Sequence, residues 1–288
     1  MKIVNIIGGL GNQMFQYAFA LALKARFPDE DVKYDISSFR GYGLHNGFEL
    51  PQLFKLSLKQ ASLNDVCHLN VPAPHYKLWQ IRCHILKGLF GYLERNAMVF
   101  DSKALEIKGS KYFDGYWQVE EYFKDCEEEV RREFTFSRLD EKNAELAGRI
   151  AGKCSVSVHI RRGDYLNNPN FSGLTDLSYY ERAIRDIKAS EKPEVFLIFS
   201  NDHKWCRENI APLTSGIETV YVDWNTGENS FRDMQLMSLC KHNIIANSTF
   251  SWWGAWLNPT PDKLIITPKA WINNKPDCDI IPSKWKRL

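Results

Sequence analysis

The sequence predicts an α/β protein made of two Rossmann-like domains, and three observations carry that prediction. Residues 2–36 read strand, glycine turn, helix, strand, the opening of a nucleotide-binding βαβ unit. From Cys154 onward, apolar β-branched runs alternate with helical periods, which requires a parallel sheet with right-handed crossovers. With 288 residues there is enough chain for two such layers, each with its own core.

In order along the chain, Lys2–Ile7 is a buried strand, Gly8–Asn12 the glycine turn, Gln13–Phe27 a helix stopped by Pro28, and Val32–Ile36 a second strand. Residues 37–75 have no period and are expected to form a long loop with short helices over an acceptor cleft. Tyr76–Glu94 carries Leu78, Ile81, Ile85, Leu89 and Tyr92 at helical spacing with Lys77, Arg82 and Lys87 between them. Such a helix either lies on an anionic membrane surface or packs within the domain with its lysine stems along apolar surface. FDGYW at Phe113–Trp117 precedes an acidic helical run, Gln118–Glu133, and Leu139–Ile150 closes a first domain of residues 1–150. In the second domain, residues 151–288, strands are expected at Cys154–Ile160, Glu194–Ser200, Glu218–Val222, Asn243–Ala246 and Leu264–Thr267. Helices are expected at Ser178–Lys188, with a Ser178/Glu181 capping box, at Ser230–Cys240 and at Ser248–Leu257.

Composition removes whole classes. A net charge of +2 from 37 basic and 35 acidic residues gives no nucleic-acid footprint. The cysteines contain no CxxC pair and are odd in number, as expected of reduced thiols in a cytoplasmic protein. No HExxH pattern occurs, no apolar run reaches the roughly 18 residues of a membrane span, and KIVNII is not a signal peptide. Asp29-Glu30-Asp31 and Asp277-Cys278-Asp279 fit D-x-D but read as solvated turns, so no metal is expected.

In an open parallel sheet ligands gather at the carboxyl ends of strands. Three second-domain strands end in polar clusters: His159 with Arg161-Arg162-Gly163-Asp164, then Ser200-Asn201-Asp202, then Asn247-Ser248-Thr249-Phe250-Ser251 running into a helix. Arginine keeps its charge and matches phosphate in two-point fashion, while a helix start offers free N–H groups to anions. Together they point to a diphosphate held by Arg161 and residues 248–251, with Asp202 or Asp233 as acceptors for a base or ribose. Asp35, ending a first-domain strand, and Asp164 are the two carboxylates considered as a general base, Asp164 rather as a turn former.

HIRRGDY, FSND and NSTFSWWGAWL, following GGLGNQMFQYA, resemble the motif set of the α-1,2-fucosyltransferases, glycosyltransferase family 11, from residue 4 to about 270. The resemblance implies a GT-B architecture of two facing Rossmann-like domains with a cleft between them. It also implies GDP-fucose as donor, inversion at the anomeric carbon, and no metal or other cofactor. The acceptor would be the 2-hydroxyl of a terminal galactoside, on an oligosaccharide or lipid-linked glycan of surface or O-antigen type. Carried over by position, Arg161 grips the β-phosphate, His159 lies beside the donor, and Asn12 and Gln13 reach toward fucose or phosphate. Ser248, Thr249 and Ser251 hold the diphosphate, Asn201, Asp202 and Asn247 flank it, and Asp233 reads guanine or ribose. The expected location is cytoplasmic, with residues 76–94 as a peripheral contact to the inner membrane.

Two other readings compete. GGLG with Asp35 imitates the dinucleotide fingerprint of an NAD-dependent oxidoreductase, although Met14 replaces the third glycine. A non-catalytic glycan-binding protein would use Trp252, Trp253 and Trp256 as a sugar platform, but their helical spacing fits core packing as well.

Overall fold

The computed structural model describes residues 1–86, 89–275 and 278–288, and at Asp164 the backbone alone. The chain divides into two compact units, Met1–Ser137 and Arg138–Leu288.

In the first unit β1 (Lys2–Asn5) is wholly buried and leads through the glycine turn into α1 (Leu10–Arg26), with Phe27 capping it before Pro28. Lys24 and Arg26 in the last turn complement the helix dipole. Then come β2 (Val32–Asp35), α2 (Leu50–Leu53), β3 (Lys59–Gln60), α3 (Leu63–Leu69), α4 (Tyr76–Ile81), β4 (Tyr92–Leu93), β5 (Lys111–Asp114) and α5 (Glu127–Glu133). Among the described residues the sheet runs β3-β2-β1-β5-β4, every pair parallel. Residues 37–75, expected as a long loop with short helices, contain two short helices and also an edge strand, and α3 is started by a reciprocal Ser62/Asp65 capping box.

The expected helix Tyr76–Glu94 is corrected. It runs α-helical only to Ile81 and continues as a π turn over Arg82–Leu86, and Tyr92–Leu93 pairs with β5 as a strand. Lys87 and Gly88 lie outside the described residues. Arg82 is drawn inward, 2.9 Å from Asp114, so Leu78, Ile81 and Ile85 face solvent instead of the core. The run Gln118–Glu133 is also shorter than expected, with two 3₁₀ turns preceding α5.

The second unit contains α6 (Glu141–Ile150), β6 (Ser155–Ile160), α7 (Gly163–Leu166), α8 (Leu177–Glu191), β7 (Val195–Ser200), α9 (His203–Asn209), β8 (Glu218–Val222), α10 (Phe231–Leu239), β9 (His242–Ile244), α11 (Thr249–Leu257), β10 (Ile265–Thr267) and β11 (Lys286–Arg287). Its sheet runs β11-β10-β9-β6-β7-β8, again parallel throughout. Leu146 and Ile150 of α6 pack with Val195, Leu197, Phe199 and Leu236. Helix α6 therefore belongs to the second unit, and the boundary falls after Ser137, not after residue 150. Helix α8 starts on Asp176, whose carboxylate accepts from the Tyr179 N–H, so the expected Ser178/Glu181 box is not the cap. No described helix is long and apolar enough to cross a membrane.

Candidate functional site

In the second sheet β6, β7 and β8 step outward in one direction, and after α10 the chain returns to β9 on the other side of β6. The carboxyl ends of β6 and β9 are thus the topological switch point, where an open α/β sheet leaves a crevice for ligand. Strand β6 delivers His159 and Arg161 there, and β9 delivers Asn247, Ser248 and the start of α11.

His159 is buried, and its backbone oxygen accepts from the Tyr180 hydroxyl at 3.1 Å. Burial, with the Arg161 charge beside it, pushes its pKa down to about 3, so the ring is neutral. Its Nδ1 has no partner among the described residues. Arg161 lies 5.5 Å over the Tyr165 ring and is half-buried. The neighbouring Arg162 is spent on the fold. Its Nε donates to Asp202 at 3.1 Å, its guanidinium stacks 4.0 Å over Trp205, and its backbone N–H donates to Asn201 Oδ1. A Cβ at Gly163 would push Asn201 Nδ2 aside and so disturb the amide that accepts from the Arg162 N–H. Asp202 also caps α9 through the Trp205 N–H. Asn201 and Asp202, expected to read nucleotide, are thus the clasp that shapes the arginine turn. The Asp164 side chain lies outside the described residues.

Asn247 is likewise built in: its amide donates to Trp271 O and accepts from Thr175, and its backbone oxygen accepts from Tyr165. Ser248 is the N-cap of α11 in extended conformation, yet its hydroxyl makes no capping bond, and Thr249 beside it is half-buried. Ser251 is turned inward, donating to Ser248 O at 3.3 Å. The helix start thus offers its N–H groups and the Ser248 hydroxyl to an anion, but not Ser251. Trp252, Trp253 and Trp256 are buried, Trp253 lying 5.0 and 5.1 Å from the other two, which makes them core rather than a sugar platform. Asp233, in the first turn of α10, accepts from Asn225 at 2.9 Å, and burial raises its pKa to about 7. It follows β8 in the chain, on the helix that leads back to β9.

The first sheet has its own switch point, between β1 and β5. Gly8 takes the left-handed conformation there, φ 98°. Gln13 is fully buried with its amide committed: it donates to Gly8 O and Gly47 O and accepts from the Glu49 N–H. It holds residues 47–49 against the glycine turn and does not reach toward a ligand. Asn12 accepts from Gln118 at 2.8 Å. The His45 ring lies within 3.3 Å of where a Cβ on Gly9 would stand, so the approach to the glycines that a dinucleotide needs is taken. Asp35 is 2% exposed and accepts from the Ser37 N–H, the Ser37 hydroxyl and the Tyr112 hydroxyl, a geometry that fixes the strand end and leaves little room for an acceptor.

Two features of this edge were not anticipated. The residues after β5 form a braced loop: Gln16 donates to Gly115 O, and Trp117 is left-handed at φ 53°. Glu94, just past β4, accepts from the Tyr116 and Trp117 backbone N–H groups at 2.6 and 3.1 Å. FDGYW was visible as a motif, but nothing local to Glu94 marks it, because its partners are 22 and 23 residues away. Among the described residues no three His, Cys, Asp or Glu side chains gather as a metal-ligand set. Glu30 and Asp31 pair with Lys2 and Lys33, and Asp277 lies outside the described residues.

The family model described as Glycosyl transferase family 11 matches residues 1–286. Alpha-1,2-colitosyltransferase of Escherichia coli is 35% identical over 99% of this chain and 98% of its own. Galactoside alpha-(1,2)-fucosyltransferase 2 of Rattus norvegicus is 30% identical over 89% of this chain and 67% of its own. Among solved structures, a mutant of Arabidopsis thaliana FUT1 in complex with GDP superposes with a TM-score of 0.50 at 13% identity, covering 96% of this chain and 72% of that one, a likeness of fold.

Proposed function

From the premise that this chain belongs to glycosyltransferase family 11, we propose that it moves L-fucose from GDP-fucose to the 2-hydroxyl of a terminal galactoside, with inversion and without a metal. The observation that carries this is that Arg161 and the start of α11 follow the carboxyl ends of two neighbouring parallel strands, β6 and β9, at the switch point. When the sugar leaves, negative charge grows on the β-phosphate, and a fixed cation with helix N–H donors stabilises it there. Each such donor is worth roughly 3–4 kcal/mol in comparable sites. Neutral His159 adds a hydrogen-bonding edge without adding charge, and Asp233, ionised above about pH 7, would accept from the N–H groups of a guanine.

A second donor has a specific observation behind it. The Escherichia coli relative is named for colitose, which is fucose without its 3-hydroxyl, so the same phosphate site serves either sugar. The test is GDP release from GDP-fucose and from GDP-colitose, with lactose and a panel of β-galactosides, with and without EDTA. Product NMR then gives the linkage. Acceptor-dependent release that survives chelation is expected. Release lost with EDTA, or failure of GDP to raise the melting temperature, would remove the metal-free phosphate site.

Leu78, Ile81, Ile85, Leu89 and Phe90 are 47–72% exposed, and Lys77 and His84 beside them are exposed too. This surface supports peripheral contact with the cytoplasmic membrane face, where lipid-linked acceptors reside. Co-sedimentation with anionic vesicles, lost in Ile85→Glu, is the expected outcome.

A further inference from the structure

Three carboxylates stand at the carboxyl edge of the first sheet. Asp35 already accepts three hydrogen bonds, and Asp114 is held by Arg82 at 2.9 Å and by the Trp79 ring N–H at 3.1 Å. Glu94 differs in its partners: Oε2 accepts from the Tyr116 and Trp117 N–H groups, Oε1 shares the latter, the carboxylate has no ion pair among the described residues, and the residue is half-buried. Gly115 makes room for it, since a Cβ there would lie 2.6 Å from Glu94 Cβ and 2.7 Å from Oε2. Beside it is a run of half-buried rings. Tyr42 meets Tyr76 edge-on at 5.0 Å, Tyr76 stacks on Trp79 at 5.7 Å, and the Tyr116 hydroxyl lies within electrostatic reach of Tyr76 and Glu94. Aromatic faces with one convergent polar group are the usual lining of a sugar site.

We propose that Glu94 is the general base of the transfer and that Tyr42, Tyr76, Trp79 and Tyr116 seat the acceptor sugar beside it; this rests on the transferase reading above. The acceptor O–H gives its proton to the Glu94 carboxylate, and the freed oxygen pair forms the bond to the anomeric carbon. The bond from that carbon to the β-phosphate oxygen breaks, its pair leaving with GDP. The two N–H groups, both from the loop after β5, fix the orientation of the carboxylate. Burial raises the Glu94 pKa to about 7 against those N–H bonds, with the Asp101 charge acting in the same direction. The other titrating neighbours, Tyr92, Tyr116 and Tyr122, are all pushed upward by burial and stay neutral there. A carboxylate base of that kind makes the rate rise with pH through about 7.

The test uses the full chain, GDP-fucose, GDP-colitose and the galactoside panel, with rates of wild type, Glu94→Gln and Glu94→Asp measured across pH. Glutamine with its oxygen in the Oε2 position keeps an acceptor for both N–H groups, removes the ionisation, and gives up the shared Oε1 contact with the Trp117 N–H. The expected result is a folded Glu94→Gln with kcat down roughly 100-fold or more, no acid limb in the pH profile, and an unchanged melting shift with GDP. Glu94→Asp keeps the limb at a reduced rate. A folded Glu94→Gln with wild-type kcat and an intact acid limb overturns the assignment. If glutamine prevents folding, a Glu94→Asp variant with wild-type rate at every pH overturns it instead. A wild type that turns over no donor–acceptor pair shows that the transferase reading itself has failed, and the inference falls with it.

Discussion

Arg161 and Arg162 carry the same guanidinium past the end of β6 and meet different partners. Arg162 is anchored by Asp202 and Trp205, so Arg162→Ala is expected to lower stability by about 1 kcal/mol, read as a drop in melting temperature. Arg161→Ala should cut kcat roughly 100- to 1,000-fold, seen in GDP release by a variant whose circular dichroism shows it folded. Strand alternation predicts His159 and Arg161 on one face with Arg162 on the other, and the two arginines meet different partners. The Arg162 clasp was out of reach of sequence reasoning, because it depends on a partner from the next strand. Two groups set opposite pH behaviour. His159, with its pKa pushed down to about 3, stays neutral from pH 5 to 8, which ¹⁵N shifts of its ring would display. The Asp233 carboxyl is raised by burial, so the stability tied to its protonated form is full below its ordinary range and lost as pH rises through about 7. Asp233→Asn should therefore be more stable than wild type at pH 8 by about 2 kcal/mol and no more stable at pH 4, as denaturant titrations at both pH values would report.

Buried strands and the helices that cap them were largely legible as elements, because a parallel sheet covered on both faces writes itself as continuous apolar runs. Strand β6 and helix α11 are such cases. Residues 76–94 misled for a physical reason. The spacing of Leu78, Ile81 and Ile85 is that of a helix face, but the buried Arg82–Asp114 pair turns the opposite side inward. Charge was buried and apolar surface left outside, a reversal that periodicity cannot signal. Edge strands β3, β4 and β11 are two residues long and have no period to detect. Gln13 shows what one helix residue does for a distant segment: Gln13→Ala strands the Glu49 N–H and Gly47 O. The expected cost is about 1–3 kcal/mol, with faster proteolysis in residues 41–49.

At the scale of the whole chain, each unit has its own sheet and core, so calorimetry should resolve two transitions, with GDP raising the one that belongs to the second unit. A single transition with equal calorimetric and van't Hoff enthalpies would mean that neither unit stands alone. The domain boundary misplaced in the sequence followed from treating α6 as the end of a run, when its buried Leu146 and Ile150 face a core assembled from residues beyond it. The tryptophans make such an experiment simple to read. All but Trp79 and Trp117 lie in the second unit, and Trp252, Trp253, Trp256 and Trp285 are in ring contact there. Intrinsic fluorescence is therefore a one-sided reporter: emission will be blue-shifted and dominated by the unit that carries Arg161. Excitation passing among those close indoles will keep its anisotropy low until that core opens, whatever the other half of the molecule is doing.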